Sequence, residues 1–459
     1  MGATTLHAAF YTPPRPVYPA ERPGARQFLR AARGNALQIW PEAAYEQDVF
    51  VSRAFGRTQM LLNVAEGIHR VLVENPGNYR RTPVSLRILR PVAGDGLLLS
   101  EGSNWRYQRR TIAPSLTPRL IPMLSRHIAG VAVETVASLA RRSNAPVNLL
   151  QEMQSAALEI AARSMFSLET SAFGAEMRDM LTDYGKRLAQ PHLLDILLPA
   201  WLPSPPDFAR QRFQLRWMAL MDRIIDARLA SGEAGTPRDL FDMLRAARDP
   251  ETGAAFTREQ LRDQVATMIV AGHETTAIAL FWSLYLLAHA PAWQDAIAAE
   301  TAGLDLGPAG APDALASLVQ TRAAVSEALR LYPPAFMMTR VATGPDRAGD
   351  LEIPRGAVVM IAPWVLHRHR RLWRDPDAFD PSRFLPSAPP QPRFAYLPFG
   401  AGPRVCVGAQ FALAEATLVL AALVQAFRIA LVDDREVIPK PAVTTQPEQQ
   451  PDFTLSARA

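Results

Sequence analysis

Residues 265–287 are apolar for long enough to cross a bilayer, yet His273, Glu274, Thr275 and Thr276 stand near the middle of the stretch. A carboxylate at a bilayer centre costs about 2.5 to 3.5 kcal/mol on insertion scales, so the pattern predicts a helix buried in a large protein core instead. Thr257 and Gln260 have capping-box spacing and Pro291 follows Ala290, which predicts one helix over 257–290, about 50 Å long. A second stretch, 408–427, is apolar nearly all round except at Glu415, Thr417 and Gln425, and reads as another buried helix.

Elsewhere the period changes. Extended runs at 49–53 and 57–63, split by Phe55 and Gly56, predict a β hairpin over 46–63 that follows a proline-rich segment, 1–45. From Val64 to about Phe241 the pattern is mostly helical, with breaks expected at Asn75 to Gly77, Pro91 to Gly96, Ser143 to Pro146 and Pro199 to Pro206. Short strands are expected at 351–353 and 357–361, and 364–398 reads as irregular. These elements make a mainly α fold with a minor β region.

Composition narrows the class. The 459 residues are 48% hydrophobic and 20% charged, which suits a large globular core. The 49 Lys and Arg are spread along the chain, which argues against a nucleic-acid stripe; a net charge of +5 fits either a solvated surface or a face that docks an acidic protein. One cysteine excludes an internal disulfide. The N-terminus lacks the charge and apolar pattern of a signal peptide, and Leu6 stands where a myristoylation signal after Met1 and Gly2 wants Ser or Thr. The cytoplasm, no membrane anchor and a monomer are the expectations.

That cysteine, Cys406, lies in the most informative run: Phe399, Gly400, Ala401, Gly402, Pro403, Arg404, Val405, Cys406, Val407, Gly408. Gly400 and Gly402 permit a tight turn and close approach to a flat ligand. Gly408 lets a helix begin beside the cysteine, with a dipole that favours thiolate over thiol. A lone cysteine is usually a small buried hydrophobe, but that reading leaves the glycines and Arg404 unexplained. The run resembles the haem-binding signature of the cytochrome P-450 family, F-G-x-G-x-R-x-C-x-G, at every defined position.

The resemblance continues upstream. Ala271, Gly272, His273, Glu274, Thr275 and Thr276 are similar to the family's oxygen-activation segment, with Thr275 and Glu274 as the proton-delivering pair and His273 a variable position rather than a ligand. Ala271 and Thr275 share a helix face, where a threonine hydroxyl back-bonds to the i−4 carbonyl and small residues leave room for dioxygen. Glu327 and Arg330, an ordinary helix pair when taken alone, join Arg383 in what the family uses as a buried structural triad. Trp105 and Arg109 match W-x-x-x-R, and with Arg340 and Arg404 they are the implied propionate contacts. The run His367, Arg368, His369, Arg370, Arg371 reads as a solvated loop.

The resemblance implies one domain over 1–459. It would hold haem b, iron protoporphyrin IX, between the long helix and the 399–408 loop, with Cys406 as metal ligand and Phe399, Gly400, Ala271 and Gly408 beside the cofactor. It also implies a soluble, bacterial-type monooxygenase that inserts one atom of dioxygen into a small apolar organic substrate. Electrons would come from a separate ferredoxin with its reductase, or from a flavoprotein. A peroxide-driven peroxygenase or isomerase, and a non-catalytic haem-binding sensor, are the rival readings. Phe336, Met338 and Ala271 are expected to line the pocket, which leaves fatty acids, terpenoids and aromatic compounds all open. Residues 193–208 are either an entrance lid or a proline-stiffened loop.

Overall fold

The computed structural model describes residues 10–21, 24, 30–31, 33–54, 56–142, 145–167, 173–192, 194–195, 198, 202–230 and 237–458. Met1, Gly2, Leu6, Phe55, Ser143 and Pro199 fall outside them.

The long helix runs Arg258–Ala288. Its start is set by the predicted box: the Thr257 hydroxyl accepts from the Gln260 N–H and the Gln260 side chain accepts from the Thr257 N–H, which satisfies two otherwise orphaned donors. It packs against helices Leu149–Phe166 and Ala409–Ala426, and it belongs to two separate hydrophobic clusters. Leu261, Val265, Ala266 and Ile269 sit in one, with Phe213, Trp217 and Phe241. Residues 277–282 and 284–287 sit in the other, with Trp364 and Leu418 to Val424. Between them Ala271 is exposed and Gly272, Glu274 and Thr275 are half-buried, so the polar segment occupies the seam between two cores.

Among the described residues, Gly102–Ala140, Arg258–Ala288 and Ala409–Ala426 are long and apolar enough to cross a membrane. In the last two, 67% and 61% of the most apolar window is buried inside the protein, so the apolar stretches read from the sequence build the core.

The β part is small. Strands β1 (Val49–Ala54) and β2 (Arg57–Leu62) form the expected hairpin. They continue into a five-stranded sheet with β3 (Tyr79–Arg80), β4 (Met338–Ala342) and β7 (Val358–Ile361), in the order β1-β2-β7-β4-β3. β5 (Asp346–Ala348) and β6 (Leu351–Ile353) form a separate hairpin. The β3/β4 register pairs Arg80 with Val341, so Arg81 follows directly beside Arg340, although they are far apart in sequence.

Two of the expected breaks can be placed more closely. The break expected at Pro91 to Gly96 falls at Gly94: helix Pro83–Ala93 carries Pro91 in its last turn at the loss of one backbone bond, the Gly94 N–H still reaches the Arg90 carbonyl, and the helix stops there with φ 58°. The end of the proline-rich 193–208 stretch is helical, because Pro205 opens helix Pro205–Ala230, where a missing N–H costs nothing.

Candidate active site

Cys406 ends a tight turn: its N–H donates to the Phe399 carbonyl at 2.9 Å, and the Gly400 N–H to the Leu397 carbonyl at 3.2 Å. Gly400 and Gly402 have φ of 73° and 71°, which side-chain-bearing residues avoid. At Gly402 the close neighbour is backbone, since an added Cβ would lie 1.9 Å from the Leu72 carbonyl oxygen; this glycine seats the loop on the 70–74 turn, not on a flat ligand. Gly408 caps helix Ala409–Ala426 with an ordinary φ of −91°. Cys406 is exposed. Desolvation by the surrounding protein pushes its thiol up, against the Gly408 N–H and the Arg109 charge, so the helix end alone does not secure the thiolate; a metal cation would.

Arginines crowd one side of this loop. Arg404 donates twice to the Ser100 carbonyl at 3.1 Å, lies 3.6 Å from Glu101 and stacks over Trp105 at 4.5 Å. Arg109 donates to the Val405 carbonyl at 2.9 Å. Arg340 donates to the Thr339 carbonyl. Arg81, which the sequence did not single out, lies among them; burial and then the charges of Arg340 and Arg404 push it down to about 9, and its Nε has no partner. Burial lowers Arg340 and Arg404 as well, with Glu101 the carboxylate opposing it. Three arginines against one carboxylate leave two positive charges, which is the complement of the two propionates of haem b. Thiol, stacked Trp105 and this charge surplus fit the group.

In the seam of the long helix, the Thr275 hydroxyl donates to the Ala271 carbonyl at 2.6 Å, the expected back-bond. The Glu274 carboxyl turns to the C-terminal segment, accepting from the hydroxyl of Thr444 at 3.0 Å and from the amide of Gln446. Burial raises its pKa against those two donors, so the carboxyl is biased toward holding a proton. His273 is buried and pushed down to about 4, a neutral core histidine rather than a ligand. Thr276 faces the carboxyl of Glu415, which burial holds well above the ordinary range; sequence reading noted Glu415 only as a polar interruption.

Glu327 and Arg330 form a fully buried bidentate pair with both contacts at 2.7 Å. Arg383 joins at 3.5 Å from Glu327 and keeps some exposure, so it is the loosest of the three. The expected solvated loop at 367–371 is not one, because His367, Arg368 and His369 are buried. Arg368 stacks on Trp364 at 3.7 Å and pairs with Asp377, and His369 meets the Gln47 carbonyl. Only Arg370 and Arg371 reach solvent, paired with Glu42, Glu46 and Asp48.

Of the expected pocket residues, Met338 abuts the cysteine loop, its sulfur 3.5 Å from where a Cβ on Gly400 would stand. Phe336 is half-buried against the larger core. The 93–97 segment is tied to the long helix by the Thr267 hydroxyl to the Ala93 carbonyl and the Leu97 N–H to Gln264, both at 2.9 Å.

Comparison with known proteins places this arrangement. A family profile described as Cytochrome P-450 matches residues 34–453. Cyclooctatin synthase of Streptomyces melanosporofaciens is 35% identical over 361 residues, 77% of each chain. Cyclooctat-9-en-7-ol 5-monooxygenase of the same organism is 32% identical over 343 residues, 74% of each. The crystal structure of the cytochrome P-450DA heme domain superposes with a TM-score of 0.82 at 25% identity, covering 96% of this chain and 98% of that one.

Proposed function

Because the chain belongs to the cytochrome P-450 family and its cofactor is haem b, we propose that it is a monooxygenase that hydroxylates a small apolar organic substrate with electrons from a separate donor. The balance is one substrate C–H, one dioxygen, two electrons and two protons in, and one alcohol and one water out. When bound, haem would supply an iron able to activate dioxygen, with Cys406 as the residue that would hold that iron.

The chain's residues divide the remaining work. Cys406 provides the sulfur ligand, and the Gly408 N–H and Arg109 disperse its charge. Arg81, Arg340 and Arg404 hold the propionates, with Trp105 stacked beneath Arg404. Thr275 presents a hydroxyl whose hydrogen, now on the Ala271 carbonyl, would be available to orient a proton at the reaction site. Glu274, whose hold on a proton burial strengthens, passes a proton inward, and the hydroxyl of Thr444 and amide of Gln446 fix its orientation. Glu327, Arg330 and Arg383 brace the segment that carries the cysteine. The whole forms one catalytic domain acting as a cytoplasmic monomer. Phe336 and Met338 supply pliable apolar surface for substrate.

The observation that carries this reading is the adjacency of Glu274 and Thr275 in the seam between the two cores. An acid and an alcohol there give the site a proton supply that a carrier or an isomerase has no use for. A ferredoxin or a flavoprotein fits as the donor, since the single cysteine, taken up by the haem, leaves these 459 residues no ligand set for an iron–sulfur cluster. The test supplies the purified holoprotein with a surrogate ferredoxin pair, isotopically labelled dioxygen and a library of lipophilic compounds. One labelled oxygen atom in a product supports the reading. Product formed only with added peroxide, without label from dioxygen, assigns the peroxide-driven class instead.

A further inference from the structure

His367 has no role in the chemistry above, yet its ring is fully buried and both of its nitrogens are engaged. Nε2 accepts the Leu397 N–H at 2.8 Å, so the ring proton sits on Nδ1, which faces the Arg330 carbonyl at 3.1 Å. Burial and the neighbouring Arg330 charge push the imidazole down to about 3, which keeps it neutral and this tautomer fixed.

Each end of that bridge matters. The Arg330 carbonyl is in the last turn of helix Val319–Leu331, where carbonyls lack helical partners, so His367 caps it. Arg330 answers by donating from Nη1 to the His367 carbonyl at 2.8 Å, while its other nitrogens hold Glu327. At the far end, Leu397 leads into the cysteine turn: its carbonyl accepts the Gly400 N–H, and the Phe399 carbonyl accepts the Cys406 N–H. An unbroken run of hydrogen bonds and short backbone steps therefore joins the Glu327 and Arg330 pair to the cysteine loop through the His367 ring, beside a second tie from the Tyr396 hydroxyl to the Ser326 carbonyl at 2.9 Å.

We propose that His367 is a positioning residue for the thiolate ligand, holding the 397–406 turn in register on the Glu327 and Arg330 cluster. This rests on Cys406 being the haem ligand but not on the monooxygenase reading, since ligand geometry is the same for any haem-thiolate chemistry. A neutral histidine suits the role because it offers one donor and one acceptor on a rigid ring, and a charged residue here would be buried beside Arg330.

The two ends can be cut separately. His367→Asn keeps an amide N–H near Nδ1 for the Arg330 carbonyl and strands the Leu397 N–H; His367→Gln keeps an amide oxygen near Nε2 for Leu397 and strands the carbonyl. Each loses one buried hydrogen bond, so a merely structural histidine predicts similar losses in both. The holoprotein is reduced under carbon monoxide at fixed moderate urea, and two quantities are followed: decay of the thiolate-type spectrum to the thiol type, and hydrogen exchange of the 397–406 amides. We expect His367→Asn to speed both by about tenfold and His367→Gln to stay within about twofold of the parent, with similar urea midpoints for the two variants. Haem uptake by the Gln variant alone, at matched midpoints, gives the same support. Equal behaviour of the two variants in spectrum and exchange, or loss of haem by both, overturns the proposal.

Discussion

The Thr275 hydroxyl hydrogen points at the Ala271 carbonyl from 2.6 Å, one turn back on the same face of the long helix. Ala271 is exposed and Glu274 beside it is engaged elsewhere, so this hydroxyl is the polar hydrogen of the 271–275 seam free to exchange its partner for a bound molecule.

Removing it separates electron flow from product. Thr275→Ala should keep haem uptake and lower product formed per reductant consumed by about tenfold or more, the missing equivalents appearing as hydrogen peroxide; Thr275→Ser should restore most of the coupling. Reductant, product and peroxide counted in one reaction check this.

Glu274→Gln keeps the shape and an acceptor for Thr444 and Gln446 but carries no transferable proton. Turnover should fall by about a hundredfold while the substrate dissociation constant stays within about threefold, a split that steady-state rates and a binding titration resolve.

Arg81 lacks a partner for Nε and is crowded by Arg340 and Arg404. Arg81→Met should relieve that repulsion in the haem-free protein and raise its urea midpoint, while haem dissociates about tenfold or more faster from the holoprotein for want of a charge-assisted hydrogen bond. Transfer of haem to an apoglobin acceptor measures the second effect.

Glu415 makes stability depend on pH. Its folded-state pKa is raised by burial above the unfolded value near 4.5, so the folded chain binds the extra proton. Its contribution is intact below that value and is lost progressively as the pH rises from about 4.5 through the folded-state pKa. Glu415→Gln should flatten the fall and stabilise the protein at neutral and alkaline pH; urea midpoints compared at acid, neutral and alkaline pH test it.

What the chain discloses unaided depends on how local the signal is. The long helix was legible from Thr257, Gln260 and Pro291, and the cysteine turn from glycines, which take positive φ without the steric cost a side chain adds. The Glu327 and Arg330 contact follows from helix spacing. Arg81 was not legible: only the β3/β4 register brings it to Arg340, and a lone arginine after a two-residue strand carries no pattern. The histidine and arginine run misled for a related reason. Five polar residues in a row look solvated, but Trp364 covers Arg368 and the backbones of Arg330, Leu397 and Gln47 take up His367 and His369. The break at Pro91 to Gly96 was legible, but its start was not: a proline near the end of a helix forfeits one bond, and the chain turns only at Gly94.

The long helix is shared by two hydrophobic clusters, with Phe411 also touching both. A protein built this way has divisible ancestry in its tolerance of change. Volume substitutions around Phe213, Trp217 and Phe241 fall on a different packing unit from those around Trp364 and Leu420, and the cysteine loop leans on both, Val407 on the first and Phe399 on the second. Random libraries confined to one unit should therefore leave the other's packing intact, while either library should contain variants that lose pigment.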